Sequence, residues 1–279
     1  MIKLRANSFL RKQNLLPMNF VDSNGTSIAY DDLGKGEPSI LLISGWCGPR
    51  TYYRDLVKQL STKRRCLVID WPGHGDSELP KKDFGEEELV RASIEVLKKS
   101  GAQRVVIVSA AHSGWVAIDL VRQLPEQIEA LVFLDWLVLE PPKQFLDALK
   151  GLQDSNDWKQ VRDALFSEWL SESTDQKITQ YVQDEMGVFG FNMWSRAGSE
   201  IEASYNRYHS PLDALEKLGS PPTVLHIFSI PKDEKFLKAQ QEFARTHRRF
   251  RVERLEGKTH FPALEDPLRV SVLIENVMN

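Results

Sequence analysis

The sequence predicts an α/β protein, a mostly parallel central sheet interrupted by one helical insertion. Three observations predict it. Short apolar runs rich in β-branched residues alternate with helical patterns, the rhythm of parallel strands joined by crossovers. From 143 to about 218 the pattern is helical, with no convincing strand. At 104–115 a strand-like run, Arg104 to Val108, turns through small residues into the helical pattern Trp115–Arg122. Strand, tight turn and helix in that order make a nucleophile elbow.

Each element has its own signal. Asn19–Asp22 and Thr26–Leu33 read as strands, and Asn24-Gly25 between them favours a hairpin turn with positive φ. Gly34-Lys35-Gly36 is a loop and lacks the third glycine of a dinucleotide-binding fingerprint. Ser39–Ile43 is apolar throughout, as a strand buried on both faces must be. A helix follows from about Tyr52 to Leu60, a strand over Arg65–Asp70, and a helix over about Gly85–Ser100. Ile128–Asp135 is the strand after the elbow unit. Pro141-Pro142 breaks the rhythm, and the aromatic-rich helical segment runs to about Leu218. Thr223–Phe228 (strand), Lys235–Arg245 (helix), Phe250–Leu255 (strand), the loop Gly257–Pro262 and Pro267–Met278 (helix) complete the chain. The division expected is 1–140 with 219–279 as the core and 141–218 as a helical cap.

Length and composition suit one soluble α/β domain. A chain of 279 residues can bury a large core, and a net charge of −3 gives no reason to expect nucleic acid or a membrane as partner. Cys47 and Cys66 are expected as buried thiols in a reducing cytosol, so the location expected is cytoplasmic. No apolar run approaches a membrane span and no secretory leader is evident. Residues 1–17 read as a surface extension. The six histidines show no metal-ligand spacing.

At the elbow, Ser109 and Ser113 occupy the small positions, so the nucleophile position falls on Ala111. A methyl group cannot attack a carbonyl, which argues against a working serine hydrolase. His260 follows a strand and a Gly-Lys-Thr loop and can accept a proton at neutral pH. Asp135 ends the strand after the elbow, where a carboxylate can orient that histidine. Asp233, after the next strand, competes for the role, and Asp135 is favoured. The backbone N–H groups of Trp46 and His112 are placed for an oxyanion hole. His74, in a Gly-x-Gly loop, reads as structural.

The ordered set Ser44-Gly-Trp46, Asp70–Ser77, the elbow, a helical insertion and a late His260 resembles the α/β-hydrolase fold with a helical cap. Leu42–Cys47, His112–Val116, Leu134–Leu137, Phe189–Arg196, His226–Ser229 and Thr259–Pro262 resemble the cofactor-independent 3-hydroxy-4-oxoquinoline 2,4-dioxygenases. That resemblance implies ring opening of a 2-alkyl-3-hydroxy-4(1H)-quinolone, a quorum-sensing signal among them, with O2 as co-substrate. It further implies release of carbon monoxide and no metal or organic cofactor. His260 would remove the 3-hydroxyl proton, and Trp169, Trp136, Trp194 and His112 are candidate substrate contacts. The family has serine at Ala111, often histidine at Ala110, and histidine at Gly48. The last change implies a roomier or less polar pocket suited to a longer 2-alkyl group. A monomer or weak homo-oligomer is expected. An esterase or lactonase whose nucleophile is replaced by Ala111, and a ligand-binding relative without activity, are the alternatives.

Overall fold

Asn24 and Gly25 both adopt positive φ, 54° and 81°, and close the hairpin between β1 (Met18–Ser23) and β2 (Thr26–Leu33). This is the turn the Asn-Gly pair favours. The structure, a computed structural model, describes residues 18–278; the expected surface extension over 1–17 lies outside the described residues. The hairpin forms one end of an eight-stranded sheet. The remaining strands are β3 (Ser39–Ile43), β4 (Cys66–Ile69), β5 (Val105–Ala110), β6 (Ile128–Leu134), β7 (Thr223–Phe228) and β8 (Phe250–Arg254). Their spatial order is β1-β2-β4-β3-β5-β6-β7-β8. Only the β1–β2 and β2–β4 pairings are antiparallel. The order reverses between β3 and β5, and in such sheets the crevice at the reversal, beyond the C-terminal strand ends, is where ligands bind.

The central strands β3, β4 and β5 are buried at every residue, which matches sequences that are apolar apart from Ser39 and Ser109. Helices cover the sheet: α1 (Arg54–Leu60), entered through a 3-10 turn at Arg50–Tyr53; α2 (Glu86–Ser100); and α3 (Gly114–Gln123), entered through a 3-10 turn at Ala111–Ser113. Between β6 and β7 come α4 (Lys143–Gln153), α5 (Trp158–Leu170), α6 (Gln176–Gln180), α7 (Phe191–Tyr208) and α8 (Pro211–Glu216). The chain closes with α9 (Glu234–Thr246), α10 (Pro262–Glu265) and α11 (Pro267–Met278).

Element types agree with the sequence reading, and the ends move by a residue or two. Asp135 lies one residue beyond β6. The first turn of the Tyr52–Leu60 helix is 3-10. α6 continues into a π-helical turn, Tyr181–Met186, that periodicity did not reveal. The loop expected at Gly257–Pro262 ends in the short α10. Cys47 and Cys66 are buried and unbridged. Among the described residues no helix is long and apolar enough to cross a membrane.

Two glycines show why the sequence packs as it does. A Cβ at Gly114 would lie 2.1 Å from the Trp136 ring, so α3 can approach the segment just after β6 only with glycine there. A Cβ at Gly198 would lie 2.6 Å from the Leu149 carbonyl, so the same holds for α7 against α4.

Candidate active site

The functional groups come from loops that leave the C-terminal ends of β3, β5, β6 and β8. After β3 the chain turns at Gly45–Gly48, closed by Gly48 N–H donating to the Gly45 carbonyl at 3.1 Å. After β5 it turns at Ala111. The Ser113 hydroxyl bonds there to the carbonyls of Ala110 (2.8 Å) and Ile43 (3.0 Å), which ties the β3 and β5 ends together. After β6 comes Asp135, and after β8 comes His260. Among the described residues five non-glycine positions have positive φ, and three belong here: Cys47 (59°), Ala111 (48°) and Asp135 (52°). Such conformations are costly for residues with a side chain and cluster where function requires them.

Asp135 is almost wholly buried. Its Oδ1 accepts the N–H groups of Ser229 and Ile230, each at 3.2 Å, and its Oδ2 faces His260 Nδ1 at 3.5 Å. Burial pushes the carboxyl up, while His260 and the two backbone N–H groups pull it down. The separation is longer than a good hydrogen bond, as pairs in unliganded sites often are. The other candidate acid, Asp233, is exposed and caps α9, its Oδ1 accepting Lys235 N–H at 2.8 Å.

A cavity of about 240 Å³ opens in front of His260. Trp46, Ala111, His112, Asp135 and His260 form its floor. Its walls are helical. Phe145, Leu149 and Leu152 on α4 stand at i, i+4 and i+7; Trp194, Ala197 and Ile201 on α7 follow the same kind of stripe. Leu165 and Trp169 on α5 complete the wall. Trp169 stacks on the His260 ring with centroids 5.2 Å apart and planes 22° apart. His112 stacks on Phe145, and burial, with His260 nearby, pushes it down to about 3. It is therefore neutral at ordinary pH. The Trp46 backbone N–H has no acceptor among the described residues and stands beside the elbow, where Gly45 packs against Ala111.

Seven of the candidate residues thus surround one cavity: Trp46, Ala111, His112, Asp135, Trp169, Trp194 and His260. Trp136 does not line it. Its ring is core, packed edge-to-face on Trp115 and Phe133 beneath Gly114. Gly48 does line the cavity, but the extra room expected there is occupied. The Tyr181 hydroxyl would lie 2.9 Å from a Cβ at Gly48. Tyr181, Phe145 and the leucines of α4 were missed by the sequence reading. The i, i+4, i+7 stripe of α4 was the available signal. Among the described residues no group of three or more histidines, cysteines or carboxylates is arranged to hold a metal ion.

Comparison with known proteins agrees with this geometry. Residues 40–272 match the model of the alpha/beta hydrolase family. The chain is 34% identical over 250 residues to the 2-heptyl-3-hydroxy-4(1H)-quinolone dioxygenase of Mycobacteroides abscessus, covering 89% of this chain and 93% of that one. It is 31% identical over 263 residues to the 1H-3-hydroxy-4-oxoquinoline 2,4-dioxygenase of Pseudomonas putida, covering 94% and 99%. A solved structure of an AqdC variant with its substrate, described for recognition and ring cleavage of the Pseudomonas quinolone signal, superposes with a TM-score of 0.89. That match has 31% identity and covers 94% of this chain and 98% of the other. Elbow, strand-end loops, helical insertion and overall similarity lead to one assignment: the chain belongs to the alpha/beta hydrolase family and, within it, to the 3-hydroxy-4-quinolone dioxygenases.

Proposed function

We propose that this protein opens the N-heterocyclic ring of a 2-alkyl-3-hydroxy-4(1H)-quinolone with O2, releases carbon monoxide, and uses no metal or organic cofactor. One observation carries the reading. An Asp135–His260 pair stands over an elbow whose central side chain is a methyl group, so the site holds a base and no nucleophile.

In this reading His260 Nδ1–H points to Asp135, which leaves Nε2 to take the 3-hydroxyl proton. Asp135 holds the tautomer and stabilises the imidazolium. The N–H groups of Trp46 and His112 hold the anionic oxygen. The deprotonated ring is electron-rich enough to react with O2 itself, so the substrate takes the part a redox cofactor otherwise plays. Trp169 and Trp194 flank the ring plane. The stripes on α4 and α7 accept the 2-alkyl chain, with 141–218 acting as a cap over the core. A cytoplasmic monomer or weak homo-oligomer fits the free buried thiols and the net charge.

The test is anaerobic mixing of the metal-stripped protein with 2-heptyl-3-hydroxy-4(1H)-quinolone, followed by admission of O2. A bound-anion spectrum that requires His260, then O2-dependent carbon monoxide release, is expected. Absence of binding sinks the reading. If Ala111→Ser gave a His260-dependent burst with activated esters, the esterase alternative would return.

A further inference from the structure

Two buried histidines lie outside the cavity and take no part in the steps above. Each receives a backbone N–H from one of the left-handed turns. Cys47 N–H donates to His74 Nε2 at 3.0 Å, and His74 Nδ1 lies 3.0 Å from the Pro72 carbonyl. Trp136 N–H donates to His226 Nε2 at 3.3 Å, and His226 Nδ1 lies 2.5 Å from Gln240 Oε1. The tautomers follow. In both rings Nε2 accepts, so Nδ1 carries the hydrogen and donates to its anchor. Gln240 is itself fixed, its Nε2 donating to the Phe236 carbonyl at 3.2 Å.

The turns need such acceptors. Asp135 N–H makes the last ladder bond to the Ile227 carbonyl, at 2.8 Å. Asp135 then takes φ 52°, which swings the next peptide out of the ladder, so the Trp136 N–H is buried and needs another partner. Cys47 is buried in the turn after β3, where the next N–H, of Gly48, closes on the Gly45 carbonyl, so the Cys47 N–H also needs a partner outside the ladder. A carboxylate could accept both N–H groups, but it would bury a second negative charge beside Asp135 or the oxyanion donors. A neutral imidazole accepts without adding charge. Both histidines are fully buried, and burial pushes each down to about 4. The ring of His74 also lies 6.0 Å from that of Trp46 and 4.9 Å from that of Phe189.

We propose that His74 and His226 are positioning residues, each accepting the backbone N–H that fixes one of the two turns that carry the oxyanion donor and the carboxylate behind the base. His74 sets the Trp46–Cys47 turn, and His226 sets the Asp135–Trp136 turn. This rests on the roles given above to Trp46, Asp135 and His260.

The test uses phenylalanine, which keeps a ring and removes the acceptor, and glutamine, which keeps both an acceptor and a donor. Substrate affinity and the rate of anion formation are read anaerobically with 2-heptyl-3-hydroxy-4(1H)-quinolone, before O2 is admitted. His226→Phe is expected to slow anion formation about 10- to 100-fold with affinity nearly unchanged, because it disturbs the base and not the binding walls. His74→Phe is expected to weaken binding of the anion by about tenfold, with the rate of anion formation at saturation nearly unchanged. Glutamine at either position restores most of each loss. Folded phenylalanine variants with wild-type values on both readouts overturn the proposal. So do glutamine variants that fold and are as impaired as the phenylalanine ones. If wild type itself forms no anion, the quinolone reading fails. Amide exchange then decides the positioning separately. Cys47 and Trp136 N–H stay protected in wild type and the glutamine variants and lose protection with phenylalanine, and unchanged protection with phenylalanine refutes it. The same exchange readout, in the glutamine variants alone, decides the matter if phenylalanine prevents folding.

Discussion

The strand-end loops and the inserted helices build opposite halves of one cavity by different means. The loops after β3, β5, β6 and β8 supply every polar group of the floor. They hold those groups by backbone hydrogen bonds and left-handed turns at Cys47, Ala111 and Asp135. The helices α4, α5 and α7 supply walls that are mainly apolar, by side-chain stripes at helical spacing. Backbone geometry tolerates almost no substitution, whereas an apolar stripe tolerates many of similar volume. Reaction type should therefore depend on the floor and substrate size on the walls.

The largest effect should come from the floor. His260→Ala is expected to lower kcat by about 10³-fold or more, with substrate still bound but not ionised, as read by stopped-flow absorbance. Normal anion formation in this variant would remove His260 as the base. Asp135→Asn is expected to cost about 10²- to 10³-fold in kcat with KM within a few-fold, since an amide imposes the wrong tautomer on His260. Loss through KM alone would break the division between floor and walls.

A wall substitution should act the other way. Leu165→Trp fills part of the cavity and is expected to raise KM for the 2-heptyl substrate about tenfold, with a much smaller change for the 2-methyl analogue and for kcat. Equal effects on both substrates would place the alkyl chain elsewhere.

The smallest effect lies at the seam. Glu86 on α2 accepts the hydroxyl of Ser204 on α7 at 2.7 Å, and its backbone N–H donates to Glu200 at 2.7 Å. Burial pushes its carboxyl from 4.5 up to about 8, against the pull of the Ser204 bond. A raised carboxyl pKa means that the folded state holds the proton more tightly than the unfolded chain. Its contribution is therefore present below about pH 4.5 and is lost as pH rises toward 8. Glu86→Gln should be nearly neutral at pH 4 and stabilise by about 1–2 kcal/mol at pH 8, seen as a Tm difference that grows with pH. A difference independent of pH would show that Glu86 is already solvated at the seam.

The same contrast explains what could be read in the sequence. Asn24-Gly25, the small residues around Ala111, and Asp135 and His260 at strand ends were legible because turn chemistry is local. Their positions follow from a few neighbouring residues. The helical walls were legible only as helices. Which face of α4 meets the cavity depends on its approach to α7 at Gly198, a tertiary fact. Trp136 lies beside the legible Asp135, yet its side chain points into the core under Gly114, because adjacent residues beyond a strand need not share a face. Gly48 suggested empty space, and Tyr181 fills it from a π-helical turn more than 130 residues away in the sequence, which no local pattern reports.

The turn at Ala111 also bears on how this site is built. A residue with a Cβ held at φ 48° costs about 1–2 kcal/mol relative to an ordinary conformation, whichever L-residue is present. In a serine hydrolase that cost is understood as the means of exposing a hydroxyl. Here the cost persists although no hydroxyl is present. What the bend still delivers, in the proposed reaction, is the peptide that follows it, whose N–H is assigned to the anionic oxygen. Selection on this elbow would then act on the direction of a main-chain dipole, and the side chain at its apex becomes the part free to vary.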